Sequence, residues 1–271
     1  MRTVGRALLA FVTKDFLLLT SYRFATALTL IELLSGLLIY FFIDRLFGQE
    51  VIGYLRPYGV GYFPYVLLGL ALFSFMGTGI SGLAAQVSAD QYMGTLEAIL
   101  VTPLRPATFA LGLSLWGMLY ACGEMAGYLL LGAVLLGAPV GNANVLSVAI
   151  ILLLAVVSFN SLGLLGASVI MVFKRGNPVA WILQGVAGLL GGVYFPVEVL
   201  PGWLQAFSAL LPVTYAVRGL QLAVYQGASL PSLRSEILPL VFLATVLLPL
   251  GLASFAAAIR RAKRDGSLAH Y

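Results

Sequence analysis

The chain of 271 residues is strongly apolar and carries little charge. Hydrophobic residues make up 61% of it and charged residues only 9%, against roughly a quarter in soluble domains. A water-soluble fold of this size would need far more polar surface. The single cysteine, Cys122, and the single histidine, His270, exclude an internal disulfide and a cysteine- or histidine-based metal site. The composition therefore predicts a polytopic α-helical membrane protein.

The N-terminal segment, residues 1–22, mixes basic and large apolar side chains. At about 100° per residue, most of the apolar ones fall on one half of a helix, and Arg2, Arg6 and Lys14 fall on the other. A signal peptide is disfavoured because Lys14-Asp15 interrupts the apolar run and no small-residue cleavage pattern is present. The pattern predicts an amphipathic helix lying in the membrane surface.

Six later stretches are apolar enough to cross a bilayer, which requires about 20 residues per helix. They are 24–43, 60–87, 107–136, 145–173, 179–197 and 237–259. Lipid cannot satisfy the edge of an exposed strand, so each stretch is predicted to be a helix. The predicted fold class is all-α integral membrane. An interfacial helix precedes six transmembrane helices, with a re-entrant outer segment before the last one.

The chain is predicted to form one domain, with 24–259 as its six-helix membrane part and 260–271 as a cytoplasmic tail. With the N-terminus inside, only four of the 15 basic residues fall outside: Arg45, Arg56, Arg218 and Arg234. Basic residues favour the cytoplasmic side, so both termini are predicted to be cytoplasmic. The net charge of +5 then reflects topology and contact with membrane lipids, and no nucleic acid is expected.

Residues 194–236 form an irregular stretch before the last predicted span. Pro196, Pro201 and Pro212 divide it, since each removes a hydrogen-bond donor and restricts the preceding residue. The pieces remain apolar, which favours short helices that dip back into the outer leaflet. Backbone at that depth must be buried in protein or line a cavity. The alternative is an ordinary outer loop with interfacial aromatic residues.

Two acids lie inside predicted spans, where a charge costs about 2.5–3.5 kcal/mol and therefore faces protein or water. Glu32 has small and polar neighbours one turn away, whereas Glu124 lies between Tyr120 and Tyr128. Each acid could line a transport pathway. Each could equally hold helices together as a protonated or hydrogen-bonded carboxyl group, and the sequence leaves both roles open.

The segment between the second and third spans, residues 88–103, is typical of a short amphipathic helix. Leu96 and Leu100 share a face, Glu97 lies elsewhere, and Pro103 ends the helix. Such an element suits docking of a cytoplasmic partner, and a plain interfacial turn is the alternative. The chain has no GxxxxGK[ST] motif, so any ATP hydrolysis is expected in another protein.

Two motifs resemble the permease subunits of ABC-2 type transporters. The first consists of Asp90, Gly94, Thr95, Leu96, Glu97, Leu100, Thr102 and Pro103. The second consists of Phe195, Pro196, Leu200, Pro201, Trp203, Leu204, Gln205, Pro212, Thr214 and Tyr215. The order of predicted elements also resembles that family over nearly the whole chain.

The resemblance implies a half-transporter. Two permease chains, forming a homodimer, would pair about a central pathway, and two copies of a separate ABC nucleotide-binding ATPase subunit would dock from the cytoplasm. This chain would hold no cofactor, with ATP and Mg bound in the partner subunit. The first motif, together with the N-terminal surface helix, would couple the ATPase to transport. An outer gate would consist of Tyr194, Phe195, Pro196, Pro201, Trp203, Pro212, Thr214 and Tyr215.

The expected function is export of an amphiphile, a drug, lipid or lipid-linked saccharide, across a prokaryotic cytoplasmic membrane. A pathway with few charges suits an amphiphile better than a small ion, and the pathway candidates are Glu32, Glu124, Tyr120 and Tyr128. The chain itself is expected not to be an enzyme. The alternatives are a membrane-embedded lipid-modifying enzyme and an ion-coupled carrier that works without an ATPase.

Overall fold

The computed structural model describes residues 23–92, 106–139, 141–173 and 178–264, together with Thr13, Leu17 and Ser21. Every regular element in these ranges is helical. In chain order they are α1 (Arg23–Leu55), α2 (Tyr62–Tyr92), α3 (Pro106–Leu136), α4 (Val145–Phe173), α5 (Pro178–Leu190), α6 (Gly202–Ser208), α7 (Pro212–Tyr225) and α8 (Arg234–Arg264). Short 3-10 turns, Arg56–Tyr58 and Val197–Val199, follow α1 and precede α6.

Within the described ranges, five helices are long and apolar enough to cross a membrane. Their candidate spans are Ala27–Gly48, Tyr62–Ala89, Ser114–Leu136, Val145–Val172 and Arg234–Arg261. Helices α6 and α7 meet at 90° and would supply a sixth span if the bent pair is counted as one. The all-α fold with five to six candidate spans agrees in outline with the sequence prediction.

The predicted fifth span, 179–197, is shorter than expected. Helix α5 ends at Leu190, and its 13 residues cover about 20 Å, whereas the hydrocarbon core is about 30 Å thick. The chain turns at Gly192, whose φ of 74° is a left-handed conformation that glycine adopts readily. This stretch is therefore a helix of about two thirds of the length needed for a span, followed by irregular backbone.

The other helices match or exceed the predicted stretches. Helix α4 begins and ends at the predicted residues, whereas α1 continues to Leu55 and α8 continues to Arg264. A helix can continue past the end of its apolar run, because residues such as Arg and Glu have high helix propensity outside the hydrocarbon core. The predicted interfacial helix lies outside the described residues, apart from the helical positions Thr13, Leu17 and Ser21. Residues 265–271 of the tail also lie outside them.

Helix α2 lies at the centre of the bundle and packs against α3, α4 and α7, while α8 packs along α4. The largest fully buried side chains of the described residues include Tyr65 and Leu72 of α2 and Phe159 of α4. Helices α2 and α4 approach closely at Gly163, where an added methyl group would overlap the carbonyl oxygen of Gly79. Small residues at such crossings favour helix association in lipid, since they allow van der Waals contact between backbones.

The outward surface is apolar, as expected for a protein solvated by lipid. Side chains such as Phe24, Leu46, Val134 and Trp181 are largely exposed. Exposed apolar groups of this number would be unfavourable in water. Polar side chains that line a cavity stand out against this background.

Candidate transport groove

A largely apolar groove that contains several polar side chains runs along one side of the bundle between α2, α3 and α5. It is made of two adjoining cavities of about 530 and 470 Å³, which share Phe73 and Gln184. The first is lined by Leu70, Phe73, Ser74, Gly77, Thr78, Ser81, Gly82, Ala85, Tyr120, Glu124, Tyr128 and Gln184. The second is lined by Phe73, Trp181, Gln184, Gly185, Gly188, Leu189 and Tyr194. Together these residues define the groove.

The floor of the groove is one face of α2. Ser74, Thr78 and Ser81 recur every three to four residues, so their side chains lie on one helix face, with glycines between them. Gln184 of α5 donates a 2.7 Å hydrogen bond from Nε2 to Ser81 Oγ. This bond fixes the register of α5 against α2. The sequence prediction missed this hydroxyl stripe, although the serine and threonine spacing was there to find it.

Three of the four pathway candidates line this groove, and the fourth, Glu32, does not. Tyr120, Glu124 and Tyr128 of α3 line it directly, and Ser74 of α2, which also lines it, lies near the Glu124 carboxyl group. Glu32 of α1 lies close enough to interact electrostatically with both Glu124 and Tyr128. The fold thus brings together residues that are about 90 positions apart in the sequence. Their role in transport stays a prediction.

Aromatic side chains lie at the end of the groove nearest the start of α2, which is the predicted outer end. Tyr194 stacks on Tyr40 of α1, with ring centroids 5.8 Å apart and planes at 19°. Its ring is also 6.2 Å from Phe73. Tyr194 is one of the predicted outer-gate residues, and its position lets α1, α2 and the chain after α5 meet at a single side chain.

A smaller cavity of about 190 Å³, separate from the groove, lies at the predicted outer end, beneath α6 and α7. Tyr65 donates a 2.7 Å hydrogen bond from its hydroxyl to the Gly192 carbonyl oxygen. Gln221, fully buried, donates from Nε2 to the Tyr65 carbonyl oxygen at 3.1 Å. Its other amide atom, Oε1, has no hydrogen-bond partner among the described residues. Several polar side chains and backbone groups therefore meet at this cavity.

Arg218 of α7 connects three separate segments at this cavity. Its Nη1 lies 3.3 Å from Glu198 Oε1, in the 3-10 turn, and its Nε lies 3.4 Å from Glu236 Oε1, at the start of α8. Tyr58, Tyr65, Glu198, Arg218, Gln221 and Glu236 together form the outer network. The sequence prediction did not include this network, because nothing in the spacing of its members indicates that they meet.

The pKa of Tyr58 shows how closed the outer network is. Burial, and to a smaller extent the nearby Glu198 carboxylate, raise the pKa of this phenol to about 12, although Arg218 acts to lower it. The Tyr58 and Tyr65 rings meet edge to face at 5.0 Å. Tyr58 follows α1 in the 3-10 turn, outside the candidate spans. The Tyr58 phenol therefore loses its proton only at a more alkaline pH than an ordinary tyrosine does.

The remaining predicted gate residues surround α6 and α7. Thr214 donates from Oγ1 to the Ser208 carbonyl oxygen at 2.8 Å, and Tyr215 donates from its hydroxyl to the Ala209 carbonyl oxygen at 2.9 Å. These bonds stabilise the bend between the helices. Pro212 begins α7 and is buried, Pro201 precedes α6, Pro196 is buried, Phe195 is half-buried and Trp203 is exposed. Whether these residues gate a pathway stays a prediction.

The predicted coupling motif lies mostly outside the described residues. Asp90 is part of α2, which continues to Tyr92, so the first residues of the motif extend a transmembrane helix and do not begin a new one. Gly94, Thr95, Leu96, Glu97, Leu100, Thr102 and Pro103 fall in the range that the structure leaves undescribed. In the described part of the chain, no group of three or more acidic, histidine or cysteine side chains could hold a metal ion.

Comparison with known proteins supplies the family. A family model described as ABC-2 type transporter matches residues 7–225. The proteins named inner membrane transport permease YadH from Escherichia coli K12 and from Shigella flexneri are each 25% identical to this chain over 162 residues. Those residues are 60% of this chain, and the match spans 62% of the length of each curated relative. The family match covers α1 to α7 and the undescribed coupling motif, and the chain belongs to the ABC-2 type transporter family.

Proposed function

We propose that this chain is the membrane subunit of an ATP-driven exporter of amphiphilic substrates. The observation that carries the proposal is the groove. Hydroxyl, amide and carboxyl groups line a surface that lies within the candidate spans of α2 and α3. Polar groups at that depth are favourable only where they face protein or water, so a pathway through the membrane accounts for the groove and bulk lipid does not.

A second copy of the chain would complete the pathway. The groove is open along one side, and the adjacent face of α5 exposes Trp181, Ile182 and Leu189. Two such faces in a homodimer would bury these apolar side chains and enclose the two polar surfaces between them. In a symmetric dimer the same patch meets itself, as this arrangement requires.

A separate ATPase would supply the energy. The sequence contains no GxxxxGK[ST] motif, and the ABC-2 family match leads us to expect two copies of an ABC nucleotide-binding subunit, which would hold ATP and Mg. We assign docking to the segment from Asp90 to Pro103, with Gly94, Thr95, Leu96 and Glu97 at its centre. Because α2 runs without a break into Asp90, motion of the docked subunit would reach the groove along one rigid helix.

The outer gate would be the aromatic cluster at Tyr194 together with the bent pair α6–α7. Tyr194 lies at the predicted outer end of the groove, and Arg218 ties α7 to the 3-10 turn and to α8. Opening would separate these segments. Substrate would enter from the cytoplasmic side or from the inner leaflet and leave through this gate, which is the direction of export.

The cellular setting follows the same reasoning. The relatives are named inner membrane permeases, and the basic residues of this chain favour cytoplasmic termini. We therefore place it in a prokaryotic cytoplasmic membrane as a multi-pass protein with both termini inside. A carrier that works alone would not need the coupling motif, and a lipid-modifying enzyme would need a catalytic cluster.

Affinity purification of the full chain from its native membrane tests the proposal. We expect an ATPase subunit with a GxxxxGK[ST] motif to co-purify, and we expect Glu97→Gln to reduce transport much more than ATP hydrolysis. Asp44→Asn, near the predicted outer end of α1 and outside the groove lining and the outer network, is the control for the loss of a carboxylate. Recovery of an active chain without any ATPase would contradict the proposal, as would coupled transport that is unchanged in Glu97→Gln.

A further inference from the structure

The charge of the groove has one sign within the described residues. Glu124 lines it, Glu32 of α1 lies near Glu124 without lining it, and none of the described lining residues is basic. Two carboxyl groups that interact in a membrane interior repel each other when both are ionised. A cation held at Glu124 would offset that repulsion, and an anion would increase it.

The walls of the groove are aromatic. Tyr120 and Tyr128 lie one helical turn on either side of Glu124, so all three side chains project from the same face of α3. Phe73, Trp181 and Tyr194 line the adjoining cavity. The faces of aromatic rings attract ammonium and other organic cations, and Trp and Tyr do so most strongly. Carboxylates flanked by aromatic rings are thus the complement of a hydrophobic cation.

The neutral polar groups of the groove are consistent with this ligand. Ser74 lies near the Glu124 carboxyl group, and Ser81 accepts a hydrogen bond from Gln184. The described lining therefore offers no guanidinium or ammonium group to pair with a phosphate or sulfate. A lipid or saccharide carrier with an anionic head group would have to bury its charge beside Glu124 without a partner, which is strongly unfavourable.

We propose that the groove binds amphiphiles with a cationic head group, the charge near Glu124 and Glu32 and the apolar body along Phe73 and Trp181. This inference rests on the function proposed above and narrows its substrate class. Anionic lipids and phosphate-linked saccharides are then not ligands of the groove.

Two probes of nearly equal size and shape but opposite charge test directly which sign of charge the groove binds. Tetraphenylphosphonium is a hydrophobic cation, and tetraphenylborate is the corresponding anion. Their binding is measured by equilibrium dialysis against the full chain in phosphatidylcholine nanodiscs, with empty nanodiscs subtracting partition into lipid. We expect saturable binding of the cation and none of the anion.

Variants locate the binding. Glu124→Gln and Glu32→Gln should each weaken cation binding by about tenfold or more, since the loss of one close charge contact is worth at least that factor. Glu124→Asp, which keeps the charge, should bind more tightly than Glu124→Gln. Asp44→Asn is the control, because Asp44 lies on α1 about 18 Å along the helix from Glu32 and should leave binding unchanged.

Three outcomes would overturn the inference: no saturable binding of the cation, saturable binding of the anion, or cation binding unchanged in both glutamine variants. Glu124→Asp keeps the test valid if Glu124→Gln fails to fold. The assay needs neither ATP nor the ATPase. Failure here while an ATPase still co-purifies with the chain would remove only the substrate class. Cation binding by a chain with which no ATPase co-purifies from the native membrane would remove only the proposed energy source.

Discussion

The guanidinium of Arg218 lies 3.4 Å from the carboxylate of Glu236, whose side chain is only 6% exposed. Ser235 also donates a hydrogen bond from Oγ to Glu236 Oε2 at 2.7 Å. Arg218 is half-exposed, so it can pair with this nearly buried acid while it also contacts the exposed Glu198. The outer network thus joins α7 to α8 through one ion pair, in which Glu236 is nearly buried and Arg218 is half-exposed.

Removing Arg218 should destabilise the protein more than removing its exposed partner. In Arg218→Met, Glu236 loses its countercharge while it remains buried, and we expect the free energy of unfolding to fall by about 2 kcal/mol. Glu198→Gln removes the exposed contact and should lower it by less than about 1 kcal/mol. Denaturation midpoints in detergent micelles measure both values. Equal shifts for the two variants would contradict this view of the network.

The crossing of α2 and α4 provides a matched pair of glycine substitutions. Gly163→Ala would push a methyl group into the Gly79 carbonyl oxygen, and we expect a loss of about 1–3 kcal/mol of stability. Gly123→Ala adds its methyl group to open space within the described structure and should change stability by no more than about 0.5 kcal/mol. Thermal melting in detergent compares them. A neutral Gly163→Ala would show that α2 and α4 do not approach this closely.

Tyr58 should make stability depend on pH in the alkaline range. Its pKa is raised from 10.0 to about 12, so the folded protein retains this proton more tightly than the unfolded chain does. The stability that this supplies is fully present below pH 10 and is lost as the pH rises from 10 to about 12. Tyr58→Phe should flatten this decline, whereas Tyr54→Phe, at an exposed tyrosine, should not. An identical alkaline decline in both variants and the unsubstituted protein would argue against a buried phenol.

Cross-linking should reveal the dimer face. In a Cys122→Ser background, Leu189→Cys should form a disulfide between two copies, because α5 would face α5 across the pathway. Disulfides require Cα atoms within about 7 Å, so the reaction reports close approach. Val134→Cys is the control, since this exposed residue of α3 lies away from the groove lining. Covalent dimers from Val134→Cys but not from Leu189→Cys would show that the dimer interface lies on another face of the protein.

Most of the helices can be predicted from the sequence because their apolar runs have clear ends. Helix α4 lies between Asn144 and Lys174, and its predicted bounds match the observed ones. The length predicted for α5 is too great, since hydropathy remains high through Gly191 and Gly192 although the backbone turns there. Average hydropathy measures transfer into lipid and does not report the φ angle of a glycine.

The site can be predicted only in part, for a related reason. Acids such as Glu124 are conspicuous in an apolar span. Serine and threonine change the mean hydropathy of a helix only slightly, so Ser74, Thr78 and Ser81 are not conspicuous in α2. The pairing of Arg218 with Glu198 and Glu236 depends on how α7 folds back between its neighbours. That arrangement is a property of tertiary packing, and no local pattern in the sequence encodes it.

Transport by the reconstituted complex tests the central claim most directly. The chain and its co-purified ATPase are placed in liposomes, and movement of an amphiphile is followed with ATP, without ATP, and with an ATPase whose phosphate-binding lysine is replaced. We expect movement only with ATP and the intact ATPase. Movement at the same rate by this chain alone, or with the inactive ATPase, would contradict the account.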